Sequence, residues 1–357
     1  MIARNDPRPV RVAVVGLGYW GPNLVRSFFE LPEADLVCAC DLDRARLEKI
    51  GRRYPTLRRT TSFEEVLDDA GIEAVAVATP VSTHFRLART ALERGKHVLV
   101  EKPMAGSAEE AADLARLAAA RNLVVMPGHT FLYSPPVNAV RELIRSGEIG
   151  DIYFVTSSRV NLGLHQPDVS VIWDLGPHDF SMLRYWLDER PASVSATTRS
   201  CVLADVPDVA FVNLTFPSGA LANVELAWLA PAKLRRTVVV GSRKMVVYDD
   251  TSGEPIRIHD SGASLEDPAT FGEYRLTYRT GAILSPPISA AEPLALELTD
   301  FCHSIREGHE PRSSAGLGAD VVSVIETAER SAGLEGSSVA LERELHFDAV
   351  AGKAGGP

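Results

Sequence analysis

Short, continuous apolar runs alternate with stretches of helical periodicity along the first third of the chain. The runs are rich in Val, Ala and Leu, which is typical of strands buried on both faces of a parallel sheet. The predicted strands are residues 10–16, 35–41, 73–79, 97–103 and 123–128, and the predicted helices are residues 21–31, 44–53, 84–94 and 108–121, with a short helix starting after residue 62. This alternation predicts an α/β domain built on a parallel sheet.

The pattern changes after Gly128 to long segments with a two-residue period. Further helices are predicted at 136–146, from near Asp174, at 293–307 and at 314–333, and strand segments at 151–160, 193–203, 209–229 and 235–249. Turn residues at 217–219 and 241–243 indicate hairpins, and hence a large, mostly antiparallel sheet. We predict a first domain over residues 1–128, an α+β domain over 129–348 and a flexible tail over 349–357.

Composition and charge narrow the class of protein. The 357 residues are 45% hydrophobic and 24% charged, as in ordinary globular proteins of about two domains. The net charge of −10 argues against nucleic-acid or anionic-membrane binding. No apolar run approaches the roughly 20 residues of a membrane span, and the first residues lack a signal peptide's apolar core. Four cysteines without C-x-x-C spacing predict a reduced, metal-free, cytoplasmic protein.

A glycine-rich loop lies between the first predicted strand and helix. Residues 16–21, GLGYWG, match the G-x-G-x-x-G pattern in the context that this pattern requires. Gly16 permits the tight turn, Gly18 lets a pyrophosphate approach the backbone, and Gly21 lets helix and strand pack closely. The phosphates would rest on the N–H groups at the helix start, with Tyr19 and Trp20 beside them. We predict dinucleotide binding, with a plain tight turn as the alternative.

An acidic residue ends the second predicted strand. Asp41 comes twenty residues after Gly21, where a carboxylate binds the adenosine ribose and repels a 2′-phosphate. This favours NAD over NADP, although Arg44 and Arg46 lie close enough in sequence to soften the preference. The alternative role for Asp41 is to cap the helix that follows.

Further candidates end the third and fourth strands, at the edge where open α/β sheets bind ligands. Thr79 and Pro80 are expected to flank the cofactor, and His84 either contacts it or merely begins a helix. Glu101 and Lys102 precede a proline that restricts the lysine's backbone. The ammonium of Lys102 could hold a substrate hydroxyl beside the nicotinamide, or it could be a solvated loop lysine.

A second constellation lies in the sequence WDLGPHD. Asp174 and His178 are four residues apart, so a helix would place both on one face. The carboxylate could then orient the imidazole as a base for an alcohol proton. Pro177 is expected in the first turn of this helix, because a proline further inside would break it. Alternatively, Asp174 caps the helix and His178 belongs to the core.

Polar residues near these groups are candidates for binding a polyol substrate. The irregular stretch over 161–172 is typical of a substrate loop. The candidates are His129, Tyr133, Arg159, Asn161, His165 and Trp173.

Taken together, GLGYWG, the AT-P-x3-H segment, GKHVLVEKP and D-x-x-x-H resemble the Gfo/Idh/MocA oxidoreductase family across nearly the whole chain. The resemblance implies a Rossmann domain, a second domain whose open sheet mediates homodimers or homotetramers, and catalysis by Lys102, Asp174 and His178. Many members have an Asp three residues after the histidine, where this chain has Ser181.

The resemblance also implies a chemistry. We expect an NAD(P)-dependent oxidoreductase that transfers a hydride to or from a ring alcohol of a sugar, nucleotide-linked sugar or cyclitol. The alternatives are a redox-assisted glycosidase, which retains NAD without net NADH release, and a dinucleotide-binding protein without turnover.

Overall fold

The computed structural model describes residues 8–163, 169–266 and 275–342. The chain forms two compact units. One contains the residues up to Gly128 together with Leu294–Val322, and the other contains His129–Pro293 and Ser323–Leu341. The predicted second domain contained all of residues 129–348. In the structure, Leu294–Val322 belong to the first unit instead.

The first unit is built on a six-stranded parallel sheet, which confirms the predicted architecture. Its strands are β1 (Val10–Val15), β2 (Ala34–Cys40), β3 (Arg58–Thr60), β4 (Ala74–Val77), β5 (His97–Glu101) and β6 (Val125–Gly128). The spatial order is β3-β2-β1-β4-β5-β6, the doubly wound arrangement of a dinucleotide-binding sheet. The sequence missed β3 because its three residues, RRT, carry no apolar run.

Five helices connect these strands, and their starts agree with the capping signals. They are α1 (Gly21–Glu30), α2 (Arg44–Arg53), α3 (Phe63–Asp68), α4 (Val81–Glu93) and α5 (Ala108–Arg121). The Ser62 and Ser107 hydroxyls accept backbone N–H bonds three residues on, as N-cap serines do. Caps and strands together place the loops after β1, β4 and β5 at the carboxyl edge of the sheet.

The first unit also contains α8 (Pro293–Glu307) from Leu294 onward. Arg306 of this helix donates to the backbone carbonyls of Arg8 and Pro9, at 2.9 Å each, and to both carboxylate oxygens of Glu73. The guanidinium lowers the pKa of Glu73, chiefly through these hydrogen bonds. Residues far apart in sequence are thereby joined beside β1.

The second unit is built on a nine-stranded, mostly antiparallel sheet, as predicted. Its strands are β7 (Ile152–Leu162), β8 (Ser193–Arg199), β9 (Val209–Thr215), β10 (Leu221–Ala227), β11 (Leu229–Gly241), β12 (Met245–Asp249), β13 (Ile256–Glu266), β14 (Arg275–Leu284) and β15 (Val339–Ala340). The order is β14-β13-β12-β11-β7-β10-β9-β8-β15, and among the described strands of this sheet only β7 and β10 pair in parallel. Both predicted hairpin turns are present, between β9 and β10 and between β11 and β12.

The helices of the second unit are α6 (Pro135–Arg145), α7 (Val171–Leu187) and the later part of α9 (Ala315–Gly333). A 3₁₀ turn, Thr130–Tyr133, precedes α6. The expected position of Pro177 in a first turn is wrong, because α7 begins at Val171 and continues through Pro177. Burial of Val171 and Ile172 extends the helix backward, and buried neighbours keep its backbone helical where the proline lacks an N–H.

Candidate active site

The glycine-rich loop follows β1, and its three glycines serve different needs. Gly16 has a φ of +93°, and a Cβ there would lie 2.5 Å from the Ala78 carbonyl oxygen. A Cβ on Gly21 would lie 2.0 Å from the Gly16 oxygen, so this glycine is required by packing. A Cβ on Gly18 would meet only the Arg46 guanidinium, at 3.8 Å. The space above Gly18 is therefore open within the fold, as a pyrophosphate site needs.

The start of α1 fits the same ligand. Trp20 occupies the N-cap position without a side-chain capping bond, and the first turn carries no acidic residue. Pro22 has no N–H and the Asn23 N–H donates to the Trp20 oxygen at 2.8 Å, so the positive end of the helix dipole is what this helix start offers an anion. Tyr19, in the loop, is 89% exposed. These residues fit the diphosphate of a dinucleotide.

Asp41 lies directly after β2 and binds the glycine-rich loop. Its Oδ2 accepts the Leu17 N–H at 2.6 Å and its Oδ1 accepts the Asp43 N–H at 2.8 Å. The alternative in which Asp41 caps α2 is wrong, because Asp43 is the N-cap and accepts the Ala45 N–H. Arg46 lies 3.6 Å from Asp41 and 3.5 Å from Asp43, and its side chain is half exposed. The position expected to bind the ribose therefore carries an acidic side chain, Asp41, with a basic one, Arg46, beside it.

His84 joins the ends of β4 and β5. It lies within α4, which begins at Val81, and its side chain is buried. Its Nδ1 is 2.9 Å from the Pro103 oxygen and its Nε2 is 2.8 Å from the Thr79 oxygen. The imidazole thus lies between two backbone carbonyls, and in its neutral form, with one N–H, it donates to one of them. This placement supports a role in shaping this edge of the sheet. Burial lowers the pKa of the imidazole.

Glu101 is the last residue of β5, and Lys102 follows it. Burial raises the pKa of Glu101 to about 7, although the Lys102 charge and backbone N–H and the Trp20 indole oppose this shift. The carboxylate approaches β6 closely, since a Cβ on Gly128 would lie 3.1 Å from Glu101 Oε2. The backbone N–H of Lys102 donates to Glu101 Oε2 at 3.3 Å, so the Glu101 side chain turns back toward the residue that follows it.

Asp174 and His178 lie one turn apart on α7, in the second unit. The indole Nε1 of Trp228 donates to Asp174 Oδ2 at 3.0 Å. The His178 imidazole is tilted 59° to the Phe131 ring, with 5.0 Å between the ring centroids. A carboxylate fixed by a buried donor thus lies one helical turn from a partly exposed imidazole, as an oriented base requires.

A buried ion pair that the sequence did not predict lies next to His178 on α7. The Arg159 Nε lies 2.5 Å from Asp179 Oδ2, and both side chains are at most 4% exposed. Asp179 Oδ1 also accepts the Ser157 hydroxyl at 2.7 Å. The sequence offered one signal for this pair, because Asp179 directly follows His178. The alternation of residues in β7 did not predict that the Arg159 side chain is buried.

The remaining substrate candidates differ in accessibility. His129 and Tyr133 are 1% and 2% exposed and belong to the packed interior. Asn161 and Trp173 are partly buried. His165 lies outside the described residues. Within the described part of the chain, no cluster of three or more His, Cys, Asp or Glu could hold a metal, and no helix is long and apolar enough to cross a membrane.

Comparison with known proteins identifies both units. The model of the GFO/IDH/MocA oxidoreductase family, NAD-binding Rossmann fold, matches residues 10–129, and the model of the GFO/IDH/MocA C-terminal domain matches residues 137–247. The chain is 28% identical over 318 residues to scyllo-inositol 2-dehydrogenase (NAD(+)) of Bacillus subtilis, covering 85% of this chain and 88% of the relative.

Two further relatives differ in cofactor. The NADP(+)-dependent scyllo-inositol 2-dehydrogenase of Bacillus subtilis is 25% identical over 345 residues, covering 90% of this chain and 94% of the relative. GenD2 from gentamicin A biosynthesis, solved in complex with NAD, superposes with a TM-score of 0.80 at 25% identity, over 96% of this chain and all of that one. The chain belongs to the Gfo/Idh/MocA family and is an NAD(P)-dependent oxidoreductase with NAD as its primary cofactor.

Proposed function

We propose that the enzyme moves a hydride between nicotinamide and a ring carbon bearing a secondary hydroxyl, in a sugar, nucleotide-linked sugar or cyclitol. The observation that carries this proposal is that Asp174, whose carboxylate accepts from the Trp228 indole, lies one helical turn from His178 on α7. Related proteins are named as dehydrogenases of scyllo-inositol and D-apiose, and a structure of similar fold as a UDP-N-acetylglucosamine 3-dehydrogenase.

Each catalytic group has a distinct role in the proposed reaction. His178 accepts the hydroxyl proton, and Asp174 stabilises the imidazolium that forms. Lys102 donates to the substrate oxygen and stabilises its developing negative charge. When bound, NAD⁺ supplies the hydride acceptor, so one alcohol becomes one ketone, one NADH and one protonated base.

The cofactor would be held by residues of the first unit. Gly16, Gly18 and Gly21 would receive the diphosphate, and Asp41 the ribose hydroxyls. The side chains flanking the nicotinamide half would come from the ends of β4 and β5. These flanking residues are Thr79, Pro80, His84, Glu101 and Lys102.

The test is a screen followed by two substitutions. Purified enzyme with NAD⁺ is offered scyllo-inositol, D-apiose and UDP-N-acetylglucosamine, and NADH is measured by absorbance. Lys102→Ala and His178→Ala should each lower turnover by about a hundredfold or more while leaving the Kd for NADH within a few-fold. Lys233→Ala and His303→Ala, at more exposed positions, serve as matched controls. Near-native turnover in either site variant would refute the role given to that residue.

The oligomeric state and compartment belong to the same proposal. Phe154, Phe211 and Leu221 are 42–52% exposed and share one face of β7, β9 and β10, as their register requires. We infer that a second copy of the chain covers this face, giving a homodimer or homotetramer. All four cysteines are free thiols, which supports a reducing, cytoplasmic location.

A further inference from the structure

Three side chains in successive contact, Arg159, Phe131 and His178, connect a buried guanidinium to the imidazole on α7. The carbon Cζ of Arg159 lies 4.6 Å from the centre of the Phe131 ring, and that ring lies 5.0 Å from the His178 ring. We propose that Arg159 is a positioning residue that acts on His178 through Phe131, and that it is not a ligand of the substrate. This inference rests on the proposed role of His178 as the base.

The surroundings of Arg159 leave it little capacity to bind a substrate. The residue is 3% exposed, and its Nε and Nη2 both face the Asp179 carboxylate. The third nitrogen, Nη1, is buried and has no hydrogen-bond partner among the described residues. A sugar hydroxyl in solvent therefore has no accessible guanidinium nitrogen to approach.

The other side of the ion pair is fixed as firmly. The Ser157 hydroxyl bridges the Asp179 carboxylate and the Thr237 hydroxyl, which lies 2.8 Å away on the neighbouring strand β11. Ser157 and Thr237 are 3% and 2% exposed, so water does not compete for these bonds. The guanidinium is thereby held in one plane beneath Phe131, as a stable cation–π contact requires.

The Arg159 guanidinium acts on His178 in two ways, through the ion pair with Asp179 and through the contact with Phe131. Asp179 is the neighbour of His178 in sequence, so the ion pair fixes the helical backbone at His178. Phe131 packs on the imidazole itself and limits its rotation. Such anchoring matters here because Pro177 has no N–H to donate, which leaves the preceding turn of α7 with one hydrogen bond fewer.

The sharpest test removes the aromatic link and keeps the ion pair. Phe131→Leu should lower kcat about tenfold, with the KM for scyllo-inositol, the first assay alcohol, and the Kd for NADH within twofold. Phe131→Tyr should restore most of the kcat, since it keeps the ring. Phe29→Leu, at a half-exposed position on α1, is the matched control. An unchanged kcat in Phe131→Leu, or a rise confined to KM, would overturn the proposal.

A second series separates positioning from substrate binding. Arg159→Lys keeps the charge and loses the planar fork, and it should lower kcat in the same manner as Phe131→Leu. In a His178→Ala background, neither change should lower the residual rate further. A raised KM for Arg159→Lys in that background would make Arg159 a substrate ligand instead.

A third measurement needs no substrate. Diethyl pyrocarbonate is added to the cofactor-free enzyme, and carbethoxylation of His178 is followed by peptide mass spectrometry. The rate at His178 should rise several-fold in Phe131→Leu and in Arg159→Lys, but not in Phe29→Leu. Equal rates in all three would refute the packing role. Turnover in His178→Ala would refute the role of His178 as the base in the proposed reaction. The carbethoxylation rates would still show whether Phe131 and Arg159 position the imidazole.

Discussion

At the scale of single residues, one motif combines glycines that the fold needs and a glycine that only a ligand needs. Gly21 is fixed by the approach of the Gly16 oxygen, whereas Gly18 has free space and no left-handed φ. The pattern G-x-G-x-x-G does not show which glycine has which role, because all three positions carry the same residue. The space that a Cβ would have at each glycine distinguishes the two roles.

The two glycines should therefore fail differently when each becomes alanine. Gly18→Ala should fold with a Tm within a few degrees of wild type and bind NADH about tenfold more weakly, since the methyl group occupies the pyrophosphate position. Gly21→Ala should lose about 3 kcal/mol of unfolding free energy through overpacking. Thermal melts and NADH fluorescence titrations distinguish them, and native NADH affinity in Gly18→Ala would contradict the cofactor site.

Glu101 should make stability depend on pH. Its pKa is about 7 in the folded state against an ordinary 4.5, so the folded carboxyl holds its proton while the unfolded one has lost it. The contribution of Glu101 to the free energy of unfolding is therefore fully present below about pH 4.5 and is lost as pH rises through 7.

Glu101→Gln, which mimics the protonated form, tests this dependence. Its unfolding free energy should exceed that of wild type by up to about 3 kcal/mol at pH 8, and the difference should vanish near pH 4. Urea denaturation of the cofactor-free enzyme measures both, with exposed Glu109→Gln as control. A difference that does not change with pH would mean that Glu101 is ionised as usual.

At the scale of elements, α7 shows why the site could be predicted only in part. The spacing of Asp174 and His178 placed both on one helix, and the serine caps located α3 and α5 correctly. The start of α7 was wrong by three residues, because burial outweighed the proline rule. Trp228, Phe131 and Asp179 were missed because their contacts join elements far apart in sequence, which periodicity cannot report.

Trp228 should affect catalysis beyond its packing. Trp228→Phe keeps most of the buried ring and removes the donor to Asp174, so kcat should fall about tenfold as the carboxylate loses its orientation. Trp186→Phe is a close control, because that indole donates to the Val137 carbonyl at 2.9 Å, away from Asp174. Both variants should lose about 1 kcal/mol of unfolding free energy. An equal kcat in Trp228→Phe and Trp186→Phe would refute the role of Trp228 in orienting Asp174.

At the scale of the whole molecule, the parallel sheet was predictable from continuous apolar runs and the antiparallel sheet from alternation. Strands β13 and β14 were not, since their sequences mix charged, glycine and apolar residues without a clear period. The open face of the larger sheet likewise has no signature in the sequence. Its half-exposed Phe and Leu residues become a patch only when the register aligns them.

That patch predicts the assembly. Wild-type enzyme should elute with at least twice the 38.6 kDa of one chain when mass is measured by light scattering. Leu221→Lys places a charge opposite Phe154, its register partner, and should shift the mass to one chain. Phe29→Lys, equally exposed on α1, should leave the mass unchanged. A monomeric wild type would refute the inferred interface.

The bonds from Arg306 to Arg8, Pro9 and Glu73 bear on how the chain is synthesised. The residue that secures the first strand is translated almost three hundred residues after it, when nearly all of the second unit has already left the ribosome. The amino-terminal unit is therefore the first to emerge, and it stays incomplete until α8 follows. A nascent chain interrupted before α8 would present the cell's quality control with an unfinished nucleotide-binding half.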